Sequence, residues 1–139
     1  MTDTEHLTNT IRALCAKGYQ QYDSGQFEQA LRQFYQAWLA LPKPQNQYPQ
    51  AGWVLAAIGD CYFRMAKLPQ ALEALESCLH CPDMNDNPFV RLRLGQTLLE
   101  SEQLLEARKQ LLKAYQIGGR ELFAKEYPKY LACIEDLVV

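Results

Sequence analysis

Two cysteines at positions 78 and 81 enclose a leucine and a histidine in a Cys-x-x-Cys motif, a spacing used by zinc sites and by thiol–disulfide active sites. A structural zinc site needs two further ligands at paired spacing, and the other three cysteines stand alone in the sequence. A redox site places its attacking cysteine at a helix N-terminus, where the helix dipole favours the thiolate. Cys78 and Cys81 fall instead near the predicted C-terminal end of a helix. The motif therefore predicts packing, and we expect no metal and no cofactor.

Other residues that could do chemistry are scattered. Neither of the two histidines, His6 and His80, has an obvious nucleophile or carboxylate partner in the sequence, although folding could supply one. Each glycine fits a helix-packing position or a turn, so no loop is suited to hold phosphate. The acidic stretch at 83–87 has residues of a calcium loop but lacks its length and terminal glutamate. We therefore expect a protein that is not an enzyme and has no catalytic residues.

Composition points to an ordinary soluble protein. Of the 139 residues, 48% are hydrophobic and 22% charged, with a formal net charge of −2. This balance gives no basic surface for nucleic acid or for an anionic membrane. The N-terminus lacks the profile of a signal peptide, and no apolar run reaches membrane-spanning length. With an odd count of five cysteines, reduced thiols in the cytoplasm are the expectation. We expect one domain over residues 1–139.

A threefold pattern of small residues organises the chain. Ala30 follows Gly18 by twelve positions, and the same offset recurs at Gly59 and Ala71 and at Gly95 and Ala107. A large apolar residue follows each alanine after four residues, and a small residue follows it after seven. These followers are Phe34 and Ala37, Leu75 and Cys78, and Leu111 and Ala114. A generic helical bundle explains helical periodicity but not the same small residues at the same offsets three times.

This pattern resembles the tetratricopeptide repeat (TPR), a helix–turn–helix unit of about 34 residues. The resemblance implies an all-α, right-handed solenoid with three repeats, over about 8–42, 49–82 and 88–119, and a C-terminal capping helix within about 120–137. Helices are expected near 4–23, 27–40, 49–65, 68–80, 88–101 and 104–117. The repeats are unevenly spaced because a proline-rich stretch at 42–49 and a turn-rich stretch at 82–88 are inserted between them.

The terminal segment 120–137 is expected to pack one apolar face on the last repeat, with Pro128 in the first turn of its final helix. A cap of this kind covers the end of a solenoid core, and we favour this role over partner binding. Its packing residues are predicted to be Leu122, Phe123, Tyr127, Tyr130, Leu131, Ile134 and Leu137.

The resemblance also implies a binding groove on the concave side, formed by the first helix of each repeat. Carried over by position, the partner-binding residues are Arg12, Tyr19, Tyr22, Asp23, Trp53, Asp60, Phe63, Arg64, Phe89, Leu92, Gln96, Leu99 and Glu100. Many are aromatic, and an exposed aromatic stripe is typical of a protein interface. The alternative is that a terminal segment folds across the groove and makes some of these residues part of the core.

Three stretches, at 53–63, 87–96 and 127–131, resemble short bacterial TPR proteins that act as immunity partners of toxins. That resemblance implies a protein that binds and neutralises a cognate toxin domain. One alternative is a secretion chaperone holding an extended segment of a translocated protein, although such chaperones usually lack the proline-rich insertion. Another is an accessory or scaffold subunit. The expected partner is a protein in each case, and a homo-oligomer is possible.

Overall fold

Seven α-helices follow one another along residues 2–138, the part of the chain that the computed structural model describes. Three short 3₁₀ turns lie at Gln45–Gln47, Arg120–Phe123 and Glu135–Leu137, and these residues form no strand. Met1 and Val139, the ends of the predicted domain, lie outside the described residues. The α-helices are α1 (Asp3–Asp23), α2 (Phe27–Ala40), α3 (Pro49–Arg64), α4 (Leu68–Leu79), α5 (Pro88–Glu100), α6 (Leu104–Gly118) and α7 (Pro128–Ala132).

The first six helices lie where the sequence predicts them, with ends that differ by at most one residue. The terminal segment is less regular than a single capping helix, since α7 has only five residues and is flanked by 3₁₀ turns. Proline stands in the first turn of α3, α4, α5 and α7, where its missing N–H costs no helical hydrogen bond.

The chain divides into two compact units. The first, up to Asn85, contains α1 to α4, with α1 packed on α2 and α3 packed on both α2 and α4. The second, from Asp86, contains α5 packed on α6, followed by the terminal segment with α7. The single domain over 1–139 stays a prediction.

The repeated glycines lie where two helices of a pair meet. A Cβ atom on Gly18 would stand 2.6 Å from Cε1 of Phe34, and one on Gly59 would stand 2.6 Å from Cγ of Leu75. At Gly95 the same atom would stand 2.7 Å from the Leu111 side chain. Real Cβ contacts are never this short, so only glycine permits the helices to approach this closely. The spaced small residues are fully buried at Ala30, Ala37, Ala71, Cys78, Ala107 and Ala114.

The turn inside each pair has the same backbone conformation. Gly25, Ala66 and Glu102 occupy equivalent positions with φ of 78°, 58° and 62°. In each turn the next backbone N–H reaches a carbonyl five residues back, at 2.8–2.9 Å. This is the Schellman arrangement that ends many helices, and it favours glycine at the left-handed position. Only the first turn has that glycine.

Candidate functional site

Helices α1 and α3 of the first unit bring together most of the residues predicted to bind a partner. We call this surface the α1–α3 face. Its residues are Arg12, Tyr19, Tyr22, Asp23, Trp53, Asp60, Phe63 and Arg64. A hydrogen bond joins the two helices at its centre, where the Tyr22 hydroxyl donates to Oδ1 of Asp60 at 3.0 Å. Asp60 is 3% exposed, so its carboxylate orients Tyr22 from the interior.

An arginine lies over the aromatic rings next to this hydrogen bond. The guanidinium carbon of Arg64 is 5.6 Å from the centroid of the Tyr22 ring and 5.5 Å from that of Phe27. Both distances fall within the range of cation–π attraction. Arg64 itself is exposed. The contact therefore holds a positive charge at the surface.

Tyr19 packs edge-on against two rings and remains partly open. Its ring centroid is 4.9 Å from that of Phe34 and 5.9 Å from that of Tyr22, and the residue is 37% exposed. Burial, and then the nearby charge of Asp60, raise the pKa of Tyr19 well above its usual value. The Tyr19 hydroxyl is therefore neutral and able to donate a hydrogen bond throughout the physiological range.

A second aromatic–cation pair lies further along the same two helices. The guanidinium carbon of Arg12 is 5.7 Å from the Trp53 ring centroid, and Trp53 is 40% exposed. Phe63 is half-buried, and Asp23 is exposed at the end of α1. The α1–α3 face therefore presents tyrosine, tryptophan and arginine together.

Two of the predicted residues of the second unit, Gln96 and Glu100, have a different environment, because the terminal segment contacts them. Arg93 donates through Nη1 to Oε1 of Gln96 at 2.7 Å and to Oε1 of Glu126 at 3.2 Å. The side-chain amide of Gln96 donates to the same carboxylate oxygen. Gln96 is completely buried. This polar network therefore occupies a position predicted to meet a partner.

Glu100, at the end of α5, is also bound by the terminal segment. It accepts a hydrogen bond from the Tyr130 hydroxyl at 2.7 Å and forms an ion pair with Lys129. Hydrogen bonds from Lys129 and Tyr130 lower the pKa of Glu100 below its ordinary value.

Phe89 is half-buried beneath Arg93, whose guanidinium carbon is 5.1 Å from its ring centroid. Leu99 is half-buried as well.

Three of the predicted contact residues are interior. Asp60, Leu92 and Gln96 are buried, so none of them presents a surface for a partner in this conformation. The terminal segment also departs from expectation, since Tyr127 and Leu137 are exposed although both were expected to pack. Phe123, Tyr130 and Ile134 of the same segment are buried, and Leu122 and Leu131 half-buried.

Sequence reasoning missed the residues that pair with the predicted ones. Phe27 lies under Arg64, and Glu126 accepts from Arg93 and Gln96. Glu126 stands directly before the exposed Tyr127-Pro128 pair, and no periodicity marks it. The sequence gives no signal for this pair, because the repeat position of Gln96 predicts exposure and only its burial creates the need for a polar partner.

The cysteine motif has the packing role that its position predicts. Cys78 is fully buried at the small-residue position of α4, and its thiol donates to the Gly52 carbonyl at 3.2 Å. Burial raises the pKa of the Cys78 thiol to about 12 and also raises that of Cys81.

Across residues 2–138, no group of three or more His, Cys, Asp or Glu side chains is placed to hold a metal ion. Within this same range, no helix combines the length and the apolar character needed to cross a membrane.

Comparisons with known proteins give fold likeness without close sequence similarity. No family model matches the chain, and the comparison with curated proteins gives no match. Among solved structures, the Yersinia enterocolitica type III secretion chaperone SycD, in complex with a peptide of the translocator YopD, is 19% identical with a TM-score of 0.71. The match covers 93% of this chain and 92% of SycD.

Two other neighbours carry the TPR name. The C-terminal TPR-containing domain of a putative FK506-binding protein from Plasmodium falciparum is 15% identical with a TM-score of 0.76, over 98% of this chain and 93% of that one. The first TPR of Spaghetti (RPAP3), bound to an HSP90 peptide, is 16% identical with a TM-score of 0.73, over 94% and 98%. The chain therefore has the all-α tetratricopeptide-repeat fold, and the prediction of that fold is confirmed.

Proposed function

We propose that the chain is a non-enzymatic protein-interaction module whose α1–α3 face binds a segment of a partner protein. The observation that carries the proposal is the grouping of partly exposed Tyr19 and Trp53 with the exposed Arg12 and Arg64. Tyrosine, tryptophan and arginine are the residues that dominate binding energy in protein interfaces. Two of the solved structures with this fold are themselves bound to peptides of other proteins, YopD and HSP90.

The face is held in place before a partner arrives. Tyr22 is fixed by Asp60, Tyr19 by Phe34, and Arg64 by the rings of Tyr22 and Phe27. Side chains that are already ordered lose less entropy on binding, which favours affinity. The second unit contributes less in this proposal, because the terminal segment binds Gln96 and Glu100 and because Leu92 is buried.

An extended segment of a translocated protein is the first candidate partner. The support is the fold likeness to SycD over nearly the whole of both chains. In this proposal the chain acts as a secretion chaperone in the bacterial cytoplasm, where its five free cysteines would stay reduced.

A toxin domain is the second candidate partner, favoured by the resemblance of residues 53–63, 87–96 and 127–131 to short bacterial immunity proteins. The two candidates differ in what must be bound. A chaperone binds linear peptides cut from its partner, typically at micromolar strength, whereas an immunity protein needs the folded toxin domain, binds at nanomolar strength and abolishes its toxicity.

The face itself is tested by alanine variants. Tagged wild type, a Tyr19→Ala/Trp53→Ala double variant and a Tyr127→Ala control would be used to capture partners from native cells, and the captured protein would be titrated against each. Tyr127 is aromatic and 74% exposed, but it lies in the terminal segment. We expect the double variant to lose about 100-fold in affinity with its helical circular dichroism intact, since one hot-spot truncation costs about tenfold or more.

An unchanged affinity in the double variant would exclude the α1–α3 face. Equal losses in the double variant and in Tyr127→Ala would also contradict the proposal. A collapse of the helical signal would show that Tyr19 and Trp53 are core residues.

A further inference from the structure

A cavity of about 970 Å³ lies in the first unit and is lined by α2, α3, α4 and the inserted stretch after α2. We call it the α2–α4 groove. Residues of α3 that pack against both neighbouring helices form its floor, among them the buried Ile58 and half-buried Leu55. No described residue of α1 lines it, so it is separate from the α1–α3 face. Its volume is at the upper end of the range for ligand pockets.

The proline-rich insertion builds one end of this groove. The side-chain amide of Gln45 donates to the Trp38 carbonyl at 3.1 Å, which ties the inserted stretch to the end of α2. Lys43, Pro44 and Asn46 of the same stretch also line the cavity. The insertion that makes the first repeat interval longer than the second therefore forms one wall of the α2–α4 groove.

The two ends of the groove differ in charge. The Cys78 thiol reaches the Gly52 carbonyl, which places the end of α4 beside the start of α3. His80 therefore lies at the same end as Lys43. Tyr35 and Tyr62 share a hydrogen bond of 2.9 Å between their hydroxyls, and Tyr62 stands near the end of α3, so these rings lie towards the other end.

The tyrosine end resembles a receptor for a positive charge. The two rings are 6.4 Å apart at 68°, so they present faces and edges to one small volume. Glu73 is close enough to Tyr35 for its charge to raise the pKa of that hydroxyl, after burial and the bond to Tyr62. Glu73 is the one acidic side chain among the described residues that line the groove, and it forms no ion pair with any described residue. A cation that lies against the open face of a tyrosine ring and beside a carboxylate gains cation–π and Coulomb attraction together.

We propose that the α2–α4 groove is a second peptide-binding site, which takes an extended segment with a central apolar side chain and a lysine or arginine at the Tyr35–Tyr62–Glu73 end. The apolar side chain lies on Leu55 and Ile58. The groove runs along α4 from Gln70 to His80, about 15 Å at 1.5 Å per residue. An extended chain of about five residues has that length. Amide side chains on the rim, such as Gln70, offer both donors and acceptors to its backbone.

The experiment uses isothermal titration calorimetry with a capped pentapeptide that has a central leucine, a lysine at one end and serines elsewhere. We expect it to bind the wild-type chain with a Kd of tens of micromolar. Glu73→Lys should weaken binding at least tenfold. Glu76→Lys is the matched control, because Glu76 is exposed on α4 and does not line the groove, and it should leave the affinity unchanged. A probe with glutamate in place of lysine should bind Glu73→Lys at least tenfold more tightly than it binds the wild type.

Several results would overturn the proposal. They are a wild-type chain that binds no probe, equal losses in Glu73→Lys and Glu76→Lys, and equal binding of the lysine and glutamate probes by the wild type. A dimer in light scattering that Glu73→Lys dissociates would show that the occupant is a second copy of this chain. The Tyr19→Ala/Trp53→Ala variant should bind the lysine probe normally, so a failure here is distinguishable from a failure of the α1–α3 face.

Discussion

Gly59 allows α3 and α4 to approach closely, because its side chain is a single hydrogen atom. A Cβ at this position would stand 2.6 Å from Cγ and 2.7 Å from Cδ2 of Leu75, which is fully buried. Helix propensity alone favours alanine over glycine by about 1 kcal/mol. The steric term is opposite and larger, so we expect Gly59→Ala to lower the free energy of unfolding by about 1–3 kcal/mol.

Chemical denaturation measures this loss, with Lys17→Ala as the control. Lys17 is exposed on α1, and its replacement should change stability by less than about 0.5 kcal/mol. A Gly59→Ala protein as stable as the wild type would mean that the two helices separate at little cost, and the packing argument for the repeated glycines would be wrong.

Packing residues were more predictable from the sequence than surface residues. Gly18, Ala30 and Phe34 recur at fixed offsets, and their contacts lie within one helix pair. The repeat positions of Asp60 and Gln96 predict that both lie at the surface. Each is instead bound to a polar side chain far away in sequence, Tyr22 in one case and Glu126 in the other. A local pattern contains no information on such pairs.

The turns that end the first helix of each pair differ in backbone strain. Ala66 and Glu102 have φ of 58° and 62°, a conformation that costs a residue with a Cβ roughly 1 kcal/mol, while Gly25 adopts it freely. We expect Ala66→Gly and Glu102→Gly each to raise the free energy of unfolding by about 0.5–1 kcal/mol, and Gly25→Ala to lower it by a similar amount. Thermal melts of the three variants test this. Destabilisation by both glycine substitutions would mean that the added freedom of the unfolded chain outweighs the relief of strain.

The terminal segment should make stability depend on pH. Its Lys129 and Tyr130 lower the pKa of Glu100 below the ordinary value of 4.5. A lowered folded pKa gives a contribution that is present above the ordinary value and lost as the pH falls through the folded one. Urea midpoints measured from pH 7 to pH 3 should therefore fall less steeply for Glu100→Gln than for the wild type. Glu121→Gln, in an exposed position of the same unit, is the control, and identical slopes for wild type and Glu100→Gln would contradict the assignment.

For the molecule as a whole, the repeat predicts the fold, whereas the contacts of the inserted stretch and of the terminal segment are known only from the structure. Three identical offsets specify three helix pairs, because each pair buries small residues against a large apolar one at the same positions. Residues 42–49 contain three prolines, which predict that the helix is interrupted there. They do not predict that Gln45 binds back onto α2 and that the stretch lines a groove. Likewise the apolar residues of the terminal segment predicted a cap, but not its polar network on α5.

The α1–α3 face and the α2–α4 groove should bind independently. They share no lining residue, since one is formed by α1 and the inner residues of α3 and the other by α2, α4 and the opposite residues of α3. With the captured partner saturating the α1–α3 face, the lysine pentapeptide should bind with a Kd within about twofold of its value for the free chain, because uncoupled sites have no coupling free energy. Full competition, in which the partner displaces the probe, would mean that one partner occupies both surfaces. The Tyr19→Ala/Trp53→Ala and Glu73→Lys variants would then each weaken binding of that partner.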